Sequence, residues 1–113
     1  MEQGLNAVYI MASRKHRTLY VGVTSELLQR VHAHREGLID GFTKRYGVKR
    51  LVWFEPHDGI VTAIQREKSL KKYPRQWKIN LIEQGNPDRA DLFPGFFVHD
   101  GPLSHLQPRE PSM

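Results

Sequence analysis

The chain has no cysteine among its 113 residues, which excludes disulfide bonds and thiolate metal sites and removes any dependence on an oxidising compartment. It also lacks a long apolar run. Its apolar stretches are a few residues long, and the opening MEQGLNAVYI has neither the cationic start nor the hydrophobic stretch of an export signal, so the expectation is a cytoplasmic protein with no membrane partner. Acid is scarce where base is dense. Residues 14 to 82 hold fifteen Lys and Arg against six Asp and Glu, a balance of +9 in a chain whose total is +5. So concentrated a positive field suits a polyanion, most often nucleic acid, or else a solvated basic surface that keeps a small protein soluble. Five of the seven prolines fall in residues 87 to 111, where ADLF and GFFV are the only runs able to build a core. These features predict one domain over residues 1–93 and a Pro-rich, irregular tail over residues 94–113.

Two short alternating runs, AVYIMAS (7–13) and TLYVGVT (18–24), each carry a tyrosine and are separated by the polar RKHR, which predicts a hairpin. With Ser13 opposite Thr18, Met11 faces Tyr20 and Tyr9 faces Gly22. Cross-strand partners share a face, so both phenols emerge on one side of the sheet, beside open space left by Gly22. ELLQRVHAHRE (26–36) follows as a helix, capped by Thr24 or Ser25 and closed by Gly37, with Leu27, Leu28 and Val31 as its core stripe. Arg30 and His34 lie one turn apart on the border of that stripe, placed to overlook the sheet. GFTKRYG (41–47) reads as a loop and LVWFE (51–55) as a buried strand. A helical crossover makes the second and third strands run the same way, so an antiparallel sheet must place the first strand between them. Two more helices, over 59–72 and 74–84, complete an α/β (α+β) domain: a three-stranded antiparallel sheet, first strand central, flanked by three helices.

Glu67 breaks the pattern of its own helix, because Ile60, Ala63, Ile64 and Leu70 define an apolar arc with the carboxylate in its middle. Such an acid either pairs with Lys71 one turn on, or lies exposed on a tilted helix, or binds a metal at the bottom of a cleft. Trp77 suits core packing. Tyr46, among Lys44, Arg45 and Lys49, stacks on a base or covers the end of the sheet. Lys71, Lys72 and Arg75 form a solvated face or, beside a cleft, track phosphates, as do Arg14, Lys15 and Arg17 in the hairpin turn.

Taken together, AVY followed eleven positions later by YVG, an arginine on the next helix and a lone glutamate on the helix after the third strand resemble the GIY-YIG nuclease superfamily. The resemblance is to its small stand-alone bacterial proteins in particular, and extends through GFTKRYGVKRLVWFE, AIQREKSLKK and WKINLIEQGNP. It implies that Tyr9 is the tyrosine of the first triplet, with Ala7 where glycine is usual, and that Tyr20 and Gly22 belong to the second, Gly22 as a structural residue. It further implies that Arg30 is the helix arginine, His34 the histidine of some branches and Glu67 the single metal-binding acid. Asn80 stands near an asparagine that assists some members.

The implied chemistry is phosphodiester hydrolysis with one Mg²⁺ or Mn²⁺ held by Glu67, since one carboxylate argues for one metal. Tyr9 orients or deprotonates the water, which requires its pKa to fall from about 10 under nearby cations, with His34 the alternative proton acceptor. Arg30 holds the scissile phosphate. The expected function is a metal-dependent DNA endonuclease in repair, recombination or DNA processing. Its partner is single-stranded, branched or duplex DNA rather than RNA. The alternatives are a catalytically inactive nucleic-acid-binding module and a protein-interaction domain.

Overall fold

The computed structural model describes residues 5–13 and 18–97. Its elements in chain order are β1 (Ala7–Ser13), β2 (Leu19–Thr24), α1 (Leu27–Arg35), the single turn α2 (Phe42–Arg45), β3 (Val48–Pro56), α3 (Ile60–Lys71), α4 (Arg75–Gly85) and a 3₁₀ turn, Phe93–Phe97. The strands form one antiparallel sheet in the order β2-β1-β3, so β1 is central, as the crossover rule requires. Its register with β2 pairs Tyr9 with Gly22 and Met11 with Tyr20, and the Ser13 N–H donates to the Thr18 carbonyl at 3.0 Å. Both tyrosines stand on one face.

Every residue of β1 from Ala7 to Ala12 is buried, because helices cover both sides of a central strand. On one face Ala7, Tyr9 and Met11 pack with Leu27 and Val31 of α1 and with Val48 and Leu51 of β3. On the other, Val8, Ile10 and Ala12 meet Val52 of β3, Ala63 and Leu70 of α3 and Ile82 of α4. α3 lies against β2 and β1, and α1 against β3.

α1 and α3 each present a stripe at i, i+4, i+7, and in each one member is polar: Leu27, Val31 and His34 on α1, and Ala63, Glu67 and Leu70 on α3. This spacing corrects two sequence expectations. Leu28 is exposed, since it stands about 100° around the helix from Leu27, and His34 takes the inward place. Ile60 and Ile64 lie on the rim of α3, so its arc centres on Ala63 and Glu67. α1 ends as expected at Gly37 (φ 69°), with Gly37 N–H bonded to His34 C=O at 3.2 Å and Leu38 N–H to Ala33 C=O at 2.9 Å.

GFTKRYG is a helical turn between two left-handed glycines, Gly41 (φ 112°) and Gly47 (φ 63°), rather than an open loop. One turn is too short to show a period in sequence. Trp77 is exposed, its ring edge against Tyr73 at 5.4 Å. The expected boundary after residue 93 falls inside the final 3₁₀ turn. Leu92 N–H donates to Leu51 C=O at 2.7 Å and Phe96 packs on Phe54 at 5.3 Å, so the chain up to this turn is fastened to β3. The rest of the expected tail lies outside the described residues.

Candidate active site

Tyr9 is 1% exposed, and its hydroxyl lies 3.0 Å from Nε2 of His34, itself 2% exposed. The other ring nitrogen of His34, Nδ1, lies 2.8 Å from Oγ1 of the buried Thr43 on α2. The Tyr20 ring completes a triangle, 6.2 Å from Tyr9 and 5.3 Å from His34. The space beside Gly22 is filled rather than open. A Cβ there would stand 2.5 Å from Tyr9 Cζ and Oη and 2.9 Å from Tyr20 Cε2, so only glycine admits the phenol in this pose.

Burial fixes the protonation of this pair. The Tyr9 hydroxyl is pushed well above the ordinary phenol range, first by desolvation and then by Tyr20. Arg30 pulls it down and Glu67 pushes it up. The fall in the Tyr9 pKa expected from sequence is therefore reversed in direction, because desolvation outweighs the single nearby guanidinium. His34 is lowered to about 4 by burial and then by Arg30, so its imidazole is neutral at pH 7. Two tautomers satisfy the chain. Either Nδ1–H donates to Thr43 and Nε2 accepts from Tyr9, or Thr43 donates to Nδ1 and Nε2–H donates to Tyr9.

Arg30 is exposed, yet its charge reaches both Tyr9 and His34. Glu67 is 9% exposed and accepts an ion-pair contact from Lys71 Nζ at 2.7 Å. That bond to Glu67 raises the Lys71 pKa, and Tyr20 adds to the rise. The pairing expected of Glu67 is thus made, while the carboxylate also stands within electrostatic reach of Tyr9. α1 and α3 cover different faces of the sheet. Ala63 and Leu70, the neighbours of Glu67 in the α3 stripe, pack in the core opposite α1, yet the Glu67 charge acts on Tyr9.

Among the described residues no three His, Cys, Asp or Glu gather to hold a metal ion. The donor set is one buried carboxylate already facing a cationic group, with phenols beside it. Such a set fits a hard ion that keeps most of its waters, and does not fit a closed zinc site.

Of the residues expected to bind nucleic acid, Lys44, Arg45 and Tyr46 are exposed on and just after α2. Lys72 and Arg75 are exposed at the α3–α4 junction, next to the Lys71 that holds Glu67. Arg14, Lys15 and Arg17 lie outside the described residues. Asn80 is exposed on α4 and accepts a bond from Gln76 at 3.0 Å; none of its described bonds joins the site. Sequence reading missed Thr43, the partner of His34, and Phe42, stacked on Tyr20 at 6.2 Å. The only signal for either was the glycine at each end of GFTKRYG, which marks a turn held in a fixed shape.

The GIY-YIG catalytic domain matches residues 5–80, from the start of β1 into α4, and so takes in every residue from Tyr9 to Glu67. The chain belongs to the GIY-YIG family. That places it in a nuclease superfamily whose substrates are nucleic acids. A UPF0213 protein of Clostridium perfringens is 37% identical over 78 residues, 69% of this chain and 83% of the relative. One of Syntrophus aciditrophicus is 35% identical over 85 residues, covering 74% and 95%. One of Haloquadratum walsbyi is 35% identical over 78 residues, covering 69% and 86%. The aligned stretch accounts for most of each of these relatives, and their names state no activity. No solved structure matches the chain at a comparable level. No helix among the described residues is long and apolar enough to cross a membrane.

Proposed function

We propose that this GIY-YIG chain is a metal-dependent endonuclease that hydrolyses phosphodiester bonds in DNA, in repair, recombination or processing. The observation that carries the reading is the buried Tyr9–His34 hydrogen bond, set within electrostatic reach of Arg30 from α1 and Glu67 from α3. Neither packing nor simple charge-driven binding needs these groups together.

Hydrolysis forms a bond from water oxygen to phosphorus and breaks the bond to the 3′-oxygen. The water's proton must leave as the bond forms. A Tyr9 with a raised pKa need never exist as a free phenolate. Its oxygen takes the water's proton while its own O–H proton passes to His34 Nε2, and the Thr43 hydroxyl holds the imidazole in the accepting tautomer. Arg30 holds a non-bridging phosphate oxygen, and a phosphate beside it offsets the positive charge that helps to lower His34. Substrate binding thereby makes the acceptor more basic. Tyr20 flanks both partners of the relay. Glu67 would hold a Mg²⁺ or Mn²⁺ ion, which when bound supplies Lewis-acid stabilisation of the leaving oxygen.

The test is nicking of labelled single-stranded, duplex, flap and junction DNA with and without Mg²⁺ or Mn²⁺. The expected result is metal-dependent nicking that Glu67→Ala abolishes while salt-sensitive binding persists. Binding without cleavage of any substrate overturns the reading in favour of an inactive binding module. Absence of salt-dependent binding overturns it in favour of a protein-interaction domain.

A further inference from the structure

The aromatic rings of the site do not stop at its buried centre. Tyr9, Tyr20, Phe42 and Tyr46 form a continuous series with ring centroids 6.2, 6.2 and 4.9 Å apart. Exposure rises along it, from the buried Tyr9 through the half-buried Tyr20 to Phe42 at 48% and Tyr46 at 51%. Phe42 lies within 28° of parallel to Tyr20. The inward contact of α2 is made by Thr43, so core packing does not explain two large rings, one turn apart, on its outer side.

Cations flank them. Lys44 and Arg45 are exposed on the same turn, and the Arg45 guanidinium sits 5.8 Å from the Tyr46 ring. The acid on the rim, Asp40, is paired with Lys44 at 3.4 Å with both side chains largely in solvent, a contact that water and salt weaken. These side chains and Gly41 line an open cleft of about 850 Å³.

We propose that α2 is a stacking platform for an unpaired nucleobase next to the scissile phosphate, so that the site takes single-stranded DNA in preference to duplex. The position of the scissile phosphate rests on the nuclease reading above. Inside a duplex both faces of a base are already stacked. An unpaired base offers a face to Phe42 or Tyr46 without that cost, while Lys44 and Arg45 hold the adjoining phosphates. An exposed ring beside a guanidinium suits this ligand better than a purely apolar partner, which would have to desolvate both cations.

Binding measured without divalent ions separates this claim from catalysis. Fluorescence anisotropy of a labelled single strand, and of the same sequence as a blunt duplex, is read for the wild type, Phe42→Ala, Tyr46→Ala and Tyr46→Phe. The wild type is expected to favour the single strand. Each alanine variant is expected to lose about ten-fold or more on the single strand and no more than about three-fold on the duplex, while Tyr46→Phe keeps the affinity. A 2-aminopurine base in the strand is expected to be quenched by the wild type and less so by the alanine variants. Equal losses on both substrates, unchanged single-strand affinity or absent quenching overturns the platform. Single-strand preference in a protein that cuts nothing keeps the platform and removes the nuclease; metal-dependent cutting with no selective loss in the variants does the reverse.

Discussion

Beside β3, the buried Asn86 and the half-buried Asp91 bond chiefly to backbone. Asn86 Nδ2 donates to the carbonyls of Val52 at 3.1 Å and Ala90 at 2.9 Å, and its Oδ1 accepts from Ala90 N–H at 3.0 Å. Asp91 Oδ1 accepts from the N–H groups of Leu51 and Phe93, each at 3.1 Å, while Arg35 pairs with the same carboxylate and donates to Lys49 C=O. Tyr9, His34 and Thr43 are built the other way, with side chain bonded to side chain throughout. Arg35 and His34 are neighbours on α1, yet each serves a different cluster. A cluster bonded to backbone fixes where the chain goes. A cluster of titratable groups bonded to one another leaves protons free to move, and burial displaces the pKa values of Tyr9 and His34.

Substitutions sharpen that contrast. Glu67→Gln gives the largest expected effect, a loss of about a hundred-fold or more in metal-dependent cleavage with the unfolding midpoint little changed; single-turnover rates and urea unfolding read the two quantities. Acid stability comes next. His34 stays neutral in the folded protein down to about pH 4, whereas an unfolded histidine takes up a proton through about pH 6.5. The unfolded state therefore binds more protons in that window, and stability falls as pH falls, by about 3 kcal/mol when complete. His34→Gln removes this part of the slope in denaturant titrations run from pH 7 to pH 4. Asn86→Ala leaves the Val52 carbonyl unbonded and costs about 2 kcal/mol of stability, while the cleavage rate per folded molecule is unchanged. Lys71→Ala is the smallest. It frees Glu67 from an exposed ammonium and tightens Mn²⁺ binding by up to about five-fold, read by manganese electron paramagnetic resonance without DNA.

Sequence carried the sheet further than it carried the site's electrostatics. The Tyr9–Gly22 and Met11–Tyr20 register follows from an even turn and the period of two, and the central place of β1 from the crossover rule. Glu67 announced itself as an acid in an apolar arc. The depth of His34 was hidden because Leu27, Leu28 and Val31 define two possible stripes, and only packing chooses the one that turns position 34 inward. The rise of the Tyr9 pKa was hidden for a related reason. Nearby cations can be counted in a sequence, whereas desolvation depends on how completely α1 and β3 close over β1. Asn86 and Asp91 left no trace, since bonds from a side chain to backbone 34 and 40 residues away follow no hydrophobic period.

The buried phenol is where these lines meet, and Tyr9→Phe is the change that removes its hydroxyl and little else. Its single-turnover cleavage rate in saturating Mg²⁺, normalised to folded protein, is predicted to fall by about a hundred-fold or more with salt-dependent DNA binding retained. A rate equal to that of the wild type would contradict the account.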